Sequence, residues 1–536
     1  MLQGLEAGLR LGGSGPSRAI ARSPGGVTAF VGRTLKGPLD RVVRVNSFDA
    51  FEQLFGGLWQ PSCVSYAVEQ YFENGGREAL IVRVASGARA PTLTLPAGAG
   101  QLRLTGLNPG SREYLRAAVD YDGLPDAADG NFNLVIQRLS VAGSERVSEQ
   151  EILRRVSIDP GSPRCVTALL AGSQLVRVTG PLPAQRPDST HGSGGAVGYV
   201  RANTDGDDGA PLCDYDLIGS QSRRTGLFAL GPDDDFDLMY LPPLTRERDL
   251  GLSTLLVAGR VCRARHALLV VDPPRSWVEP AELLAGMASW PFHSDHAAMF
   301  FPRVLATDRL RNRVESFAPG AAAAGLLSRG DALLPQRAGF RDLMEAALRP
   351  GLKPAHQVSA ADSTRLAQAG VNTLVSLRPA GSRACGTSTL AAGRSAGSEG
   401  RYLSMRRQAL RLAACIETGT RWVLEAPNTP ATHEQAGRQL QDLLASLHAD
   451  GAFAGGRFED CCQVVWDQRV NRTSTMSRGA VNLLYGIAQT RCGDLSYWLV
   501  THEPVGSRVR PVAVNQLAAG RPAAADWAVA TGVLMA

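Results

Sequence analysis

His293-Ser294-Asp295-His296 sets two imidazoles three residues apart with a carboxylate between them. Such a group can chelate a metal or relay a proton, but no third or fourth ligand is placed by spacing, so the four residues read as the solvated start of a strand. Cys385-Gly386-Thr387 offers a nucleophile only if the fold lowers the thiol pKa and brings a histidine to it. Asp205-Gly206-Asp207-Asp208-Gly209 has the acid density of a calcium loop. Its twelfth position, counted from Asp205, is Asp216 where an EF-hand needs glutamate, and Pro211 interrupts the loop, so it reads as a turn. Arg406, Arg407 and Arg411 share a helix and could face an acidic partner or simply water. Lys36 and Lys353 are the only lysines, and neither follows a glycine as a Walker A lysine must. No catalytic, cofactor or metal residue is therefore assigned. The enzyme alternative is an α/β hydrolase-like protein using Cys385, or a serine, with His293 or His296, yet no Gly-x-Ser-x-Gly elbow in strand-to-helix context supports it.

The elements that would carry these residues alternate between strand and helix. Val27–Val31 is β-prone and Gly32 ends it. Ser47 caps a short helix with Phe48, Phe51, Leu54 and Phe55 on one side, and Gly56-Gly57 supplies a left-handed stop. Val64, Ala67, Val68, Tyr71 and Phe72 keep helical spacing from about Ser62 to Asn74-Gly75-Gly76, and Leu80–Val84 is a strand. Strand-like runs, among them Phe132–Leu139 and Val166–Leu170, dominate residues 101–180. Residues 181–211 are turn-rich, 212–312 alternate helix and strand, and 318–339 are rich in Ala and Gly. Met405, Ala409, Leu412 and Ile416 line a helix that Gly419 should stop, and Arg421–Glu425 reads as a strand. Gln439–Leu447 centres the next helix, and Val464–Trp466, Val481–Ile487 and Tyr497–Val500 read as strands.

A chain of 536 residues is too long for one core, and the 44% hydrophobic content is ordinary for a soluble protein. No apolar run is long enough to span a bilayer, and the first residues do not pattern as a signal peptide, so synthesis in a cytoplasm is expected. The nine cysteines then read as reduced and mostly buried. A net charge of +6 over this length argues little for nucleic acid, and the arginine excess matches an Ala/Gly-rich composition. Asn471-Arg472-Thr473 fits a glycosylation pattern and nothing more. No repeat of 20–50 residues is visible.

Five segments, in order, resemble contractile tail sheath proteins of phages and injection systems. The first runs from Val27 to Val84. The second holds Thr204–Gly209, Asp214-Tyr215, Arg224–Leu230, Asp235–Leu238 and Pro242-Pro243. The third is Asp295–Pro302. The fourth runs from Gly370-Val371-Asn372 through Gly386-Thr387 and Arg406-Arg407 to Thr418–Asn428, and Asp467, Asn471 and Gly479–Val481 form the fifth. The resemblance implies a multidomain α/β fold: a discontinuous inner α/β domain from both chain ends, with inserted middle domains, one β-rich and one subtilisin-like α/β without activity. The expected divisions are an arm 1–26, an inner domain 27–90 plus 356–502, a β-rich outer domain 101–195, a middle domain 196–355 and an arm 503–536. It also implies a helical homo-oligomer around an inner tail tube, with baseplate and tail terminator proteins as further partners, and neither nucleic-acid binding nor membrane insertion. Arg406, Arg407 and Arg411 would then lie near the tube. Val509, Val512, Val514 and Trp527 of the tail would add strands to neighbours. A Pro-Gly-Val-Tyr-type amino-terminal arm, common in the family, is replaced by Leu9-Arg10-Leu11 and Ser17–Ile20. Phage tail, tailocin, extracellular injection system and secretion sheath remain open.

Overall fold

The computed structural model describes residues 19–22, 25–124, 130–190, 198–333, 347–377, 381–392, 398–477 and 479–512. Its centre is an eight-stranded sheet in the order Gly381–Cys385, Val371–Leu377, Ala297–Phe301, Leu268–Val271, Leu238–Tyr240, Val27–Gly32, Glu78–Arg83, Val42–Val45. The six inner strands run parallel and both edge strands antiparallel. Parallel strands need crossover connections, and helices accordingly cover both faces. Phe30, Ile81, Tyr240 and Val270 point to one face, against Phe48–Phe55, Cys63–Glu73 and Gly320–Leu333. Ala29, Val31, Leu80, Met239 and Leu269 point to the other, against Asp214–Ile218, Leu252–Ala264, Pro280–Ser289 and Ala360–Gln368. This is the two-residue alternation of a pleated strand buried on both sides.

Ser47 and Ser62 cap their helices, accepting from Ala50 N and Ser65 N, and Gly56 ends the first at φ 90°. Leu54 does not join Phe51 and Phe55 in the core but is 41% exposed. The Ala-rich stretch becomes the helix Gly320–Leu333, whose small side chains allow it to lie close on Tyr71 and the sheet. A second core belongs to paired antiparallel sheets built from Thr92–Ala97, Gly100–Gly106 and Val176–Val178 and from Tyr114–Asp120, Asn131–Leu139, Val147–Ser157 and Val200–Arg201. Within it Val166–Leu170 is a helical turn and not a strand: Val166 and Leu170, four apart, are both buried. So short an apolar run carries no periodicity to separate the two.

The carboxy-terminal unit sets the helices Leu403–Thr420 and Pro430–Ala449 against an antiparallel sheet ordered Cys462–Val465, Val481–Ala488, Leu495–Glu503, Gly506–Val512. Gly419 does not stop the first helix, which continues to Thr420 and tightens into the 3-10 turn Arg421–Leu424 where a strand was expected. A Cβ at Gly419 would lie 2.5 Å from Ile20 Cγ2, so this glycine makes room for the amino-terminal segment.

The central sheet draws its strands from three stretches of the chain. The strands of 27–83 join those of 238–301 and 371–385 in one sheet, so the segment expected to pair mainly with 356–502 shares its core with the expected middle domain. Residues 91–100, which fall between the expected inner and outer domains, contain the strand Thr92–Ala97. The tail from 503 begins as an integral hairpin strand. Residues 19–22 are docked: Ile20 is 6% exposed in the carboxy-terminal core, and Arg22 binds Asp450 at 2.6 Å and also Ser446.

Candidate assembly surfaces

The helix Leu403–Thr420 turns its arginines inward. Arg406 is 7% and Arg407 8% exposed. Arg406 Nη2 donates to Asp295 Oδ2 at 2.8 Å and to His296 Nε2 at 2.6 Å, and His296 Nδ1 faces the Ala267 carbonyl at 3.2 Å. That pattern assigns the Nδ1–H tautomer, because Nε2 must accept from a guanidinium. Burial, and then the Arg406 charge, pull the imidazole down to about 4, so His296 is neutral near pH 7. Arg407 donates to Leu327 O at 3.2 Å, and His266 meets Glu417 at 2.7 Å. Arg411 lies against Gly25: a Cβ there would be 2.7 Å from its Cζ. Within one chain Arg406 and Arg407 thus face inward and not outward: Arg406 clasps the carboxy-terminal unit to the start of the Ala297–Phe301 strand, and Arg407 to the helix Gly320–Leu333. Leucines around them, Leu403 and Leu410, lie in the central core and draw this face of the helix inward.

The other candidates resolve into packing. The strand start at His293–His296 is not solvated; Ser294 and His296 are buried. Cys385 closes the edge strand Gly381–Cys385, and its carbonyl accepts from Thr373 Oγ1 at 3.3 Å. Burial pushes its thiol up, away from the thiolate, and both His296 nitrogens are already engaged. The acids of 205–208 are spent locally. Asp205 accepts from Thr92 N and Oγ1 at 3.0 and 2.8 Å, Asp208 from Ser111 N and Oγ at 2.8 and 2.7 Å, and Asp207 from Gly209 N at 2.8 Å. This is the expected turn, fixed to the β-rich unit. Asn471 is 2% exposed and its amide donates to Trp466 O and Asn482 O, so the glycosylation pattern is inaccessible. Of the nine cysteines four are buried, four half-buried and Cys492 exposed, fewer buried than expected.

The sequence reading missed a set of buried and half-buried arginines. Arg83, 1% exposed, donates to the carbonyls of Gly37 and Pro109 at 2.6 and 2.7 Å. Arg246 binds Asp308 and Glu315, each at 2.7 Å, over the Tyr66 ring. Each guanidinium ties together segments remote in sequence, and composition alone does not distinguish it from a surface arginine. Beside Arg246, a cleft of about 40 Å³ lined by Tyr240, Pro243, Arg303 and Phe317 has room for a few waters.

Outward-facing main chain lies at the sheet edges. Gly506–Val512 is the last strand of the carboxy-terminal sheet, with one side on Leu495–Glu503. Val509 packs toward the core, so alternation puts Arg508, Arg510 and Val512 on the opposite face. Pro511 sits on this edge strand, the position in a sheet that tolerates a missing N–H. Val514 and Trp527 lie outside the described residues. Among those described, no helix is long and apolar enough to cross a membrane.

No protein-family model and no curated protein matches the chain. Solved structures do. A sheath tail protein from Listeria innocua is 10% identical with a TM-score of 0.61, covering 91% of this chain and 97% of that one. A sheath tail protein from Desulfitobacterium hafniense is 12% identical with a TM-score of 0.52, covering 90% and 98%. The sheath of an extracellular contractile injection system, PVC, in its contracted state, is 14% identical with a TM-score of 0.51, covering 92% and 96%. The chain therefore has the fold of tail sheath proteins, along nearly its whole length.

Proposed function

We propose that this chain is the structural subunit of a contractile tail sheath. Copies polymerise helically around an inner tube, assembled on a baseplate and closed by a terminator, and contract to drive the tube through a cell envelope. The single observation that carries the reading is the fold match, which spans about nine-tenths of this chain and nearly all of each sheath chain. The buried clasps support it: load-transmitting subunits need units that move as bodies, and charged hydrogen bonds with little solvent access resist shear. The energy of contraction is that of contacts formed between subunits on re-packing, a few kcal/mol each, multiplied over a cooperative lattice.

The terminal segments connect neighbours. Gly506–Val512, last in its sheet with one side on Leu495–Glu503, offers its other edge to an added strand, and residues 513–536 follow directly from it. The sheath is part of a virion tail or released particle, made in a bacterial cytoplasm.

Negative-stain electron microscopy of concentrated protein, alone and co-expressed with a candidate tube protein, tests this. Hollow tubes or sleeves are the expected result. Uniform small particles in both preparations, over a range of salt and pH, would overturn the reading.

A further inference from the structure

Three thiols meet in the carboxy-terminal unit. Cys461 ends the helix Phe458–Cys461 and is fully buried, Cys462 opens the strand Cys462–Val465, and Cys492 is exposed in the turn between Val481–Ala488 and Leu495–Glu503. Gly493 N donates to Asp460 O at 3.0 Å. Cys461 and Cys492 thus each neighbour one end of a main-chain hydrogen bond. Gly455 defines the space between the sulfurs. A Cβ on it would lie 3.1 Å from Cys461 Cβ, 3.4 Å from Cys492 Sγ and 3.6 Å from Cys461 Sγ. Both sulfurs therefore border the one small volume that the glycine leaves open. A second main-chain bond, Ala454 N to Ala488 O at 2.9 Å, holds that side of the volume in place.

Disulfide closure needs α-carbons within about 7 Å and a sulfur separation of about 2 Å. Both sulfurs lie within 3.6 Å of the Gly455 Cβ position, so they are near neighbours, and rotation of the exposed Cys492 side chain is the movement that closure calls for. Cys461 Sγ meanwhile is held by the Arg457 carbonyl at 3.1 Å. We propose that Cys461 and Cys492 are a disulfide site that closes when the protein meets a low-molecular-weight disulfide. The Cys492 thiolate attacks one sulfur of the external disulfide and expels a thiolate, leaving a mixed disulfide on Cys492. The Cys461 sulfur then attacks the Cys492 sulfur and expels the second thiolate. Two protein thiols are oxidised, the external disulfide is reduced to two thiols, and the two thiol protons pass to the departing thiolates. The bond staples the 489–494 turn to the head of Cys462–Val465, an outer strand of the carboxy-terminal sheet. It forms only after the protein leaves a reducing compartment.

The test treats reduced, full-length protein with oxidised glutathione, alkylates the remaining thiols and maps peptides by mass spectrometry. A Cys461–Cys492 link is expected, with two fewer alkylated sites than the nine cysteines allow. Cys492→Ser, at an exposed position, should fold normally and abolish the link, whereas Cys462→Ser should retain it. A glutathione adduct that stays on Cys492, a bridge from Cys492 to Cys462, or no reaction at Cys492 in folded protein would each overturn the proposal.

Discussion

Arg406→Ala removes the cation that holds the carboxy-terminal helix to the start of the Ala297–Phe301 strand. The loss has two parts. His296 is 4% exposed, and its Nε2 would lose its donor, which costs about 1–3 kcal/mol for a buried acceptor left unpaired. The Asp295 side chain is 31% exposed, so water can replace the guanidinium and the ion pair adds under about 1 kcal/mol. About 1–4 kcal/mol in all would raise local opening of the helix by roughly 5-fold to several hundredfold. Hydrogen exchange of amides in 403–420, read by mass spectrometry, measures this directly where a global unfolding curve of a multi-unit chain would not. His296 also gives the clasp a pH signature. The folded chain keeps His296 neutral down to about 4, whereas in the unfolded chain it takes a proton near 6.5. Its contribution is therefore complete above 6.5 and is lost as pH falls toward 4. Removing the Arg406 charge lets His296 titrate closer to 6.5 and flattens that slope. Asp272, which burial raises to about 6, acts oppositely between 3.8 and 6, so the readable quantity is the wild-type minus variant difference at each pH. A change in exchange below about threefold, together with an unchanged pH slope, would refute the clasp.

Other perturbations follow the same logic. In the helix Pro430–Ala449 a Cβ at Gly437 would lie 2.2 Å from Trp466 Cδ2. Gly437→Ala should therefore destabilise by about 1–2 kcal/mol, over-packing outweighing the gain in helix propensity, as read by urea unfolding with tryptophan emission; stabilisation would show that the ring yields freely. Ile20→Ala should speed proteolysis of 19–22 severalfold by removing the buried anchor, without altering the far-UV circular dichroism. The two tail truncations should differ. Removing 513–536 leaves the four-stranded sheet intact and yields a folded chain that fails to form sleeves, while removing 503–536 also strips Gly506–Val512 and Val509 from the core and lowers stability by about 2 kcal/mol or more. Normal sleeves from the shorter deletion would exclude strand exchange by that terminus.

Local signals were legible where neighbouring residues determine the backbone. Ser47 as a cap, a helix start near Ser62, Gly56 as a left-handed stop and the apolar spacing of Cys63–Glu73 act over three or four residues and appear where the sequence places them. The order of sheath-like segments carried the fold class, because spacing between motifs survives when identity does not. What the chain does with its charged residues could not be read this way. Arg406 and Arg411 share one helix; one reaches His296 and Asp295, the other lies against Gly25, and only the packing of segments hundreds of residues apart decides it. Gly419 has the signature of a helix stop and serves instead as the seat of Ile20. Helix propensity, turn chemistry and strand alternation are short-range and were set by the sequence alone. Which strands share a sheet, which arginines lose their water and which cysteines meet depend on long-range burial, and that free energy exists only once the whole chain has packed.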